Sequence, residues 1–312
     1  MDFTDFVRNP GATSIAQIEL SAAQLDQLHA VLLQIATDIK AHCEDEGLEV
    51  SLAAGSVLGA VRHRGIIPWD DDIDLNMTRE TWRRFYPGFL ERFGDTYDVL
   101  SLETAPGRWV SHNIKIARKG TVFRELLTPP AKSCGVFVDI FIIENVPDSR
   151  ALRLVQGLGS QALRLISSSV RLRSERRYYL ELFAANPTAV KWFRGRFAIG
   201  WFFSFLKAAR WAALATWWHG LCHNTSSRYV SSPGNAGHYF GELMPRGILY
   251  PLGEADFAGL RWSVPADADS YLTRRYGQWR QPPPASERAH HALGEFDLSG
   301  VHPGEGEGDA GC

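Results

Sequence analysis

Four of the five residues from Asp70 to Asp74 are aspartates, and they lie between apolar neighbours. Carboxylates this close repel one another, and burying an unpaired charge is costly, so a bound cation is the expected reason for the cluster. In a strand, Asp72 and Asp74 point to one face, while Ile73 and Leu75 point to the other. Two carboxylates on one face suit a hard divalent ion, Mg²⁺ or Mn²⁺. We therefore interpret Asp72 and Asp74 as metal ligands.

Three other interpretations compete for this acidic cluster. A solvated acidic loop is disfavoured because apolar strand-like residues follow directly. A calcium loop starting at Asp70 would need Gly at its sixth position and Glu at its twelfth, where the chain has Leu75 and Thr81. The Asp-x-Asp of a glycosyltransferase, which binds a sugar nucleotide through a metal, stays open at this point.

The segment upstream of the cluster has the pattern of a phosphate-binding turn. Residues 50–54 are predicted to form a strand that runs into Gly55-Ser56 and then a helical turn. Such a turn presents backbone N–H groups, which commonly hold phosphates. Arg62 and His63 follow and are candidates to face phosphate oxygens; a solvated basic turn is the alternative.

Two further residues are candidates for the same site. Asp139 is the acidic residue at the centre of the apolar strand predicted for residues 135–143, and a buried carboxylate needs a partner. The Asp72/Asp74 metal site is the first choice, and an Arg partner is the alternative. Lys115, in a strand predicted for residues 113–117, either lies at an exposed edge or reaches a transferred phosphate. Three carboxylates and a Gly-Ser turn describe a two-metal phosphoryl-transfer site, in which Asp139 completes the second metal site and takes the hydroxyl proton.

The remaining pattern is that of an α+β protein. Of 312 residues, 45% are hydrophobic, which is enough to bury a core. A helix is predicted from a capping box at Ser21 to Gly47, and another from Thr78 to Phe93. Four scattered cysteines and an acidic N-terminus lead us to expect a reducing, cytoplasmic setting without a signal peptide.

Residues 148–246 differ from the rest of the chain. From Ser149 to Gly220 there are twelve Arg and Lys against two Glu, a net charge of +10 in a chain of net charge -2. Half of the ten tryptophans fall between Trp192 and Trp218. The segment is predicted to be helical, and residues 190–220 either lie on an anionic membrane surface or pack internally.

Several motifs closely resemble the LicD/fukutin family of phosphotransferases, within the nucleotidyltransferase superfamily. They are Gly55-Ser56, Leu58-Gly59-Ala60-Val61-Arg62-His63, Gly65, Ile67-Pro68-Trp69-Asp70-Asp71-Asp72-Ile73-Asp74, Lys115, Gly135, Val138-Asp139-Ile140-Phe141, Tyr271-Leu272, Tyr276-Gly277, Pro282-Pro283 and Arg288. The chain departs from the family in having Ser56 where Thr is usual, and Ile142 and Glu144 where Pro and Asp are frequent.

The resemblance implies a nucleotidyltransferase-like mixed sheet flanked by helices. It also implies transfer of a phosphorylated alcohol, often phosphocholine, from a CDP-linked donor to a hydroxyl of a cell-surface glycan or glycolipid, with release of CMP. A choline donor would favour an aromatic cage, for which Trp69, Tyr250 and Trp262 are candidates. Transfer of a nucleoside monophosphate at the same site, a glycosyltransferase and an inactive scaffold are the alternatives. No nucleic-acid partner is expected.

Four regions follow from these patterns. Residues 1–147 are predicted to be the catalytic core, 148–246 a helical insert, 247–290 a return to the core, and 291–312 a disordered tail. The protein is expected in the cytoplasm, and at the inner face of the membrane if residues 190–220 lie on an anionic surface instead of packing internally.

Overall fold

A computed structural model describes residues 13–284, 288 and 291–300 of the chain. Its strands and helices alternate along most of the sequence, with a run of four helices in the middle. The strands are β1 Ser51–Leu52, β2 Asp74–Thr78, β3 Tyr97–Leu100, β4 Ile114–Arg118, β5 Val122–Glu125, β6 Phe137–Val146, β7 Tyr229–Ser231, β8 Met244–Pro245, β9 Gly253–Phe257, β10 Leu260–Val264 and β11 Leu293–Asp297. The helices are α1 Ala22–Asp45, α2 Ala54–His63, α3 Arg79–Phe93, α4 Arg150–Ser174, α5 Arg176–Leu182, α6 Pro187–Phe202, α7 Ala208–His219, α8 His238–Gly241, α9 Arg246–Leu249 and α10 Ala268–Tyr276.

The central sheet is mixed, which confirms the α+β prediction. Its main order is β3-β4-β6-β2-β1-β10-β9, and β7 and β8 extend it beside β6. The pairs β2–β6 and β1–β10 are parallel, whereas the other pairs of this sheet are antiparallel. Strand β6 is the longest and lies between β4 and β2. The two strands that carry the predicted aspartates are therefore neighbours at the middle of the sheet.

Helix α1 packs on this sheet through one apolar face. Its capping box forms as predicted, because Ser21 accepts a hydrogen bond from the Gln24 N–H and the Gln24 side chain returns to the Ser21 N–H. Leu28, Leu32 and Ile35 recur at helical spacing and are at most 1% exposed. The face is buried in the same apolar core as the sheet residues. The helix ends before Gly47, as the sequence indicates.

The predicted helical insert contains α4 to α7, from Arg150 to His219. A second apolar core lies between α4, α5 and α6 and the residues next to β5 and β11, which form a separate two-stranded sheet; Tyr179, Phe183 and Phe193 are fully buried in this core. Beyond the helices the insert is not purely helical, because β7 pairs with β6 and β8 with β7. In the described part of the chain, no helix combines the length and the apolar run that crossing a membrane requires.

The C-terminal region packs into the main core. Residues Leu249, Trp262 and Tyr271 are all part of the main apolar cluster. The prediction of disorder from residue 291 onward is wrong for residues 291–300, because β11 pairs with β5 in antiparallel register. The error has a physical reason: strand pairing with β5 satisfies backbone groups that composition alone leaves unassigned. Residues 301–312 lie outside the described residues.

Candidate active site

Three predicted residues form a row across three neighbouring strands. Asp74 of β2 lies directly opposite Asp139 of β6, and Asp139 lies directly opposite Lys115 of β4. Paired residues share a face of the sheet, and neighbouring strands are about 5 Å apart. The register therefore brings a lysine and two carboxylates together on one face. Asp72 precedes β2 instead of lying in it, so the prediction that it is a strand residue is wrong.

The aspartates of this site lie close together: Asp71 and Asp139 are buried, and Asp70, Asp72 and Asp74 are partly buried. Burial, and then the nearby carboxylates of Asp72 and Asp139, raise the pKa of Asp74 well above its ordinary value. Burial, and then the nearby carboxylates of Asp72 and Asp71, also raise the pKa of Asp70 well above its ordinary value. Burial also raises the pKa of Asp72, although His291 opposes this. The site thus holds more negative charge than its own cations balance, which is the situation of an ion-binding site.

Asp139 and Lys115 each have polar partners inside the site. Asp139 is 9% exposed and accepts a hydrogen bond of 2.7 Å from Asn113 Nδ2, so its side-chain donor is an amide and not the alternative arginine. Burial raises the pKa of Asp139 to about 6, although Lys115 opposes this. Burial lowers the pKa of Lys115, but Asp139 and Glu125 outweigh it and raise this pKa to about 12. Lys115 is 5% exposed, which excludes the exposed-edge alternative and leaves a charged ammonium beside Asp139.

Helix α2 begins with the predicted Gly-Ser turn. Its first residue, Ala54, has a φ of 41°, and its N–H donates to Tyr271 Oη at 3.0 Å. A Cβ on Gly55 would lie 3.0 Å from Asp70 Oδ2, so the absent side chain lets this carboxylate approach the helix N-terminus. Ser56 is buried, and its Oγ accepts a hydrogen bond from the Asp74 N–H at 2.9 Å. Ser56 therefore connects the turn directly to the aspartate strand.

Arg62, His63 and Trp69 come together at the other end of α2. The His63 ring meets the Trp69 ring edge-on at 5.7 Å, and the Arg62 guanidinium lies 5.8 Å from the Trp69 ring centre. Arg62 also donates to the Trp279 carbonyl oxygen at 2.7 Å. The guanidinium of Arg288 stacks on Trp69 at 4.0 Å. This cluster is linked to the acidic site through the chain, because Trp69 directly precedes Asp70.

The other two aromatic-cage candidates are placed differently. Trp262 lies in β10 and is 2% exposed in the main core, so the prediction that it is available to a ligand is wrong. Tyr250 is partly buried, and the Arg246 guanidinium lies 5.7 Å from its ring centre.

Sequence reasoning missed two charged groups beside the aspartates. Arg275 of α10 is held by Glu242, at 2.7 Å and 2.8 Å, and its charge opposes the raised pKa of Asp74. His291 Nδ1 lies 2.7 Å from Asp71 Oδ1, and its Nε2 lies 3.9 Å from Asp72 Oδ2. Burial lowers the pKa of His291, but Asp71 and Asp72 outweigh it and raise this pKa well above its ordinary value. Arg275 follows the family motif at Tyr271-Leu272 by three residues, which is a usable signal, whereas His291 falls in a stretch read as disordered.

His219 and His223 are four residues apart, a spacing that helical metal ligands also have, but they do not share a site. His219 is buried and shares a hydrogen bond of 2.8 Å with Ser160 Oγ, whereas His223 is exposed. Burial lowers the pKa of His219 to about 3. His219 therefore serves the packing of α4 against α7.

Comparison with known proteins agrees with the geometry. Residues 47–148, which run from before β1 to just after β6, match the family described as the LicD/FKTN/FKRP nucleotidyltransferase domain. The chain is also 25% identical, over 87% of its own length and 97% of the relative's, to the lipopolysaccharide cholinephosphotransferase LicD of Haemophilus influenzae. The resemblance inferred from the Gly-Ser and aspartate motifs is thereby confirmed. Residues 47–148, which carry these motifs, are thus similar to the LicD/FKTN/FKRP nucleotidyltransferase domain.

Proposed function

We propose that this protein is a metal-dependent phosphotransferase. It moves a phosphorylated alcohol, phosphocholine as the first choice, from a CDP-linked donor to a hydroxyl of a cell-surface glycan or glycolipid and releases CMP. The observation that carries this proposal is the row of Lys115, Asp139 and Asp74 across β4, β6 and β2. The name of the Haemophilus relative supports phosphocholine as the group and lipopolysaccharide as the class of acceptor.

The side chains present fit a divalent metal ion. Asp72, Asp74 and Asp139 offer oxygen ligands, which Mg²⁺ and Mn²⁺ prefer. Burial and mutual repulsion raise the pKa of Asp74, and a bound cation would favour its ionised form. The ion would offset phosphate charge and lower the pKa of the attacking hydroxyl.

The chain's own residues have separate tasks in this scheme. The acceptor hydroxyl oxygen forms a bond to the phosphorus that carries the alcohol, and the bond from that phosphorus to the CMP oxygen breaks, with its electron pair leaving on CMP. Asp139 takes the hydroxyl proton. Lys115 stays charged, because its pKa is about 12, and offsets negative charge on the transferred group. Gly55 and the N-terminus of α2 hold a donor phosphate beside Asp70.

Trp69 is the first choice for recognition of a choline group. Its ring already has a guanidinium stacked on it, that of Arg288 at 4.0 Å, so this ring accommodates a cation. A quaternary ammonium makes the same kind of interaction with a tryptophan face. Arg62 and His63 border the ring and would contact the donor there.

The helical insert is the proposed contact with an anionic membrane surface. At the turn between α6 and α7, Trp201, Phe202 and Phe205 are 65%, 67% and 70% exposed. Lys207 at the N-cap of α7 and Arg210 in its first turn follow, and both are exposed. Exposed aromatic rings beside cations are typical of segments that lie in the interface of an anionic bilayer. The acceptor would then be presented at the inner face of the membrane.

The test of the reaction is CMP release in the presence of Mg²⁺. CDP-choline, CDP-ribitol, CDP-glycerol and a UDP-sugar are offered separately, with a lipid-linked glycan extract as acceptor. Release of CMP from one CDP-alcohol, lost on addition of EDTA, is the expected result. Turnover of the UDP-sugar alone would show a glycosyltransferase. If CDP-choline labelled in its choline phosphate releases the label as free phosphocholine while the acceptor gains CMP, the protein transfers a nucleoside monophosphate instead.

The test of the membrane contact is sedimentation with vesicles. We expect binding to vesicles that contain about 30% phosphatidylserine and weak binding to neutral vesicles. Changing Trp201, Phe202 and Phe205 together to Ser should abolish the binding. Equal binding of this variant and the unchanged protein would contradict the proposed contact without affecting the proposed reaction.

A further inference from the structure

His291 is oriented toward the aspartate cluster by a buried carboxylate. Asp71 is 5% exposed and accepts two hydrogen bonds from His291, one from the backbone N–H at 3.1 Å and one from Nδ1 at 2.7 Å. The two bonds fix both the chain and the ring at this residue. The opposite ring nitrogen, Nε2, lies 3.9 Å from Asp72 Oδ2. The two residues are 220 positions apart in the chain.

A metal-binding histidine commonly has this arrangement. One ring nitrogen donates its hydrogen to a carboxylate, which fixes the tautomer and leaves the lone pair of the other nitrogen for the ion. Ligand atoms of a divalent ion lie about 2.0–2.2 Å from it, so two of them are separated by up to about 4.4 Å. The 3.9 Å between Nε2 and Asp72 Oδ2 is within this limit. One oxygen of Asp71 lies in the same group of ligand atoms, all within 4.8 Å of one another.

We propose that His291 is a ligand, through Nε2, of the metal ion that Asp72 binds, and that Asp71 positions its ring. This inference rests on the proposed function and adds a ligand to its metal site. The C-terminal segment then completes a site whose other ligands lie before residue 140. The strand pairing of β11 with β5 holds this segment, because Leu293 lies opposite Glu125 only two residues after His291.

The ligand type has a consequence for metal preference. Imidazole nitrogen suits Mn²⁺ and later transition metals better than Mg²⁺, which prefers oxygen ligands. The site is therefore expected to bind Mn²⁺ more tightly than an all-carboxylate site would. Loss of His291 should weaken Mn²⁺ binding by at least about tenfold and change Mg²⁺ binding much less.

The test is electron spin echo spectroscopy of the full-length protein loaded with Mn²⁺, together with titration calorimetry. A directly bound imidazole produces nitrogen modulation in the echo, which we expect in the unchanged protein and not in His291→Asn. His29→Asn is the matched control, since His29 Nε2 also lies beside the cluster, 2.7 Å from the Asp70 carbonyl oxygen. This control should keep the nitrogen modulation and the Mn²⁺ affinity.

Two results would overturn the inference, and they are distinguishable from failure of the proposed function. Mn²⁺ bound without nitrogen modulation in the unchanged protein would show that His291 is not a ligand, and this measurement needs no variant to fold. Nitrogen modulation that persists in His291→Asn and disappears in His29→Asn would show that His29, and not His291, is the metal ligand. If the protein binds no Mn²⁺ and its CMP release is insensitive to EDTA, the proposed reaction does not depend on a metal ion, and that part of the proposed function is contradicted.

Discussion

The catalytic core and the helical insert depart from the usual burial pattern in opposite directions. The core buries charge: Asp71, Lys115 and Asp139 are 5%, 5% and 9% exposed. The insert exposes large apolar side chains, among them Trp201, Phe202 and Phe205. Most charged residues of a soluble protein lie outside and large aromatic clusters lie inside, so each departure costs stability and points to a ligand. Under the proposed function, the difference means that a small cation would complete the first region and a membrane surface the second.

The largest expected effect comes from the core. Asp74→Asn should reduce CMP release by at least about 1000-fold, or about 4 kcal/mol of transition-state stabilisation. The same variant should be more stable without metal, because it removes a buried charge beside Asp72 and Asp139. Turnover and metal-free thermal unfolding are the measurements. Asp256→Asn, an aspartate 54% exposed in a surface ion pair, is the control and should change neither. Unchanged turnover in Asp74→Asn would contradict the whole scheme.

Two C-terminal truncations test whether the segment that carries β11 and His291 contributes to the site in the core. Removal of residues 301–312, which the structure does not describe, should leave turnover unchanged. Removal of residues 291–312 deletes β11 and His291 and should lower turnover by more than about tenfold, in line with the loss of one metal-site residue. The comparison of CMP release by the two shortened proteins measures this difference. Equal activity of both would show that the C-terminal segment does not contribute to the site.

The exposed aromatic turn gives a smaller effect of a different kind. Trp201→Ser, Phe202→Ser and Phe205→Ser in one protein should lower turnover with a membrane-embedded acceptor by roughly 10- to 100-fold, from lost interfacial burial. Turnover with a soluble acceptor and the thermal unfolding temperature should stay the same, because these rings contribute little to the core. Phe193→Ser, which changes a fully buried ring of the same helix, is the contrasting variant and should lower the unfolding temperature. A stability loss in the triple variant would mean that its rings pack internally.

The smallest effect is on the pH dependence of stability, and the two regions should respond with opposite sign. In the metal-free protein, Asp139 has a folded pKa of about 6 and an ordinary value of 3.8, so the folded state gains protons first and stability rises as the pH falls from 7 to 5. His219 has a folded pKa of about 3 and an ordinary value of 6.5, so the unfolded state gains protons first and stability falls over the same range.

Each contribution is on the order of 1 to 2 kcal/mol between pH 7 and pH 5. Asp139→Asn should remove the gain, and His219→Asn should remove the loss. Urea unfolding of the metal-free proteins at the two pH values measures both changes. A shift of the same sign in the two variants would contradict the assigned protonation states.

Local patterns in the sequence were sufficient for much of the fold and for the chemical class. The capping box at Ser21, the N-cap at Thr78 and the apolar run around Asp139 all act within a few residues, so they predict the helices and strands on which they occur. The acidic cluster and the Gly-Ser turn are likewise local, and they led to the family that residues 47–148 match.

Only the tertiary structure decided which residues face one another in the site. The register of β2 on β6 places Asp74 beside Asp139, and the register of β4 on β6 buries Lys115 there. Pairing of β11 with β5 brings His291 to Asp71 across 220 residues, in a stretch whose composition favours disorder. Burial of Trp262 in β10 removed it as a cage residue. Strand register and long-range packing depend on the whole core, since a shift by one residue would turn every side chain to the other face of the sheet.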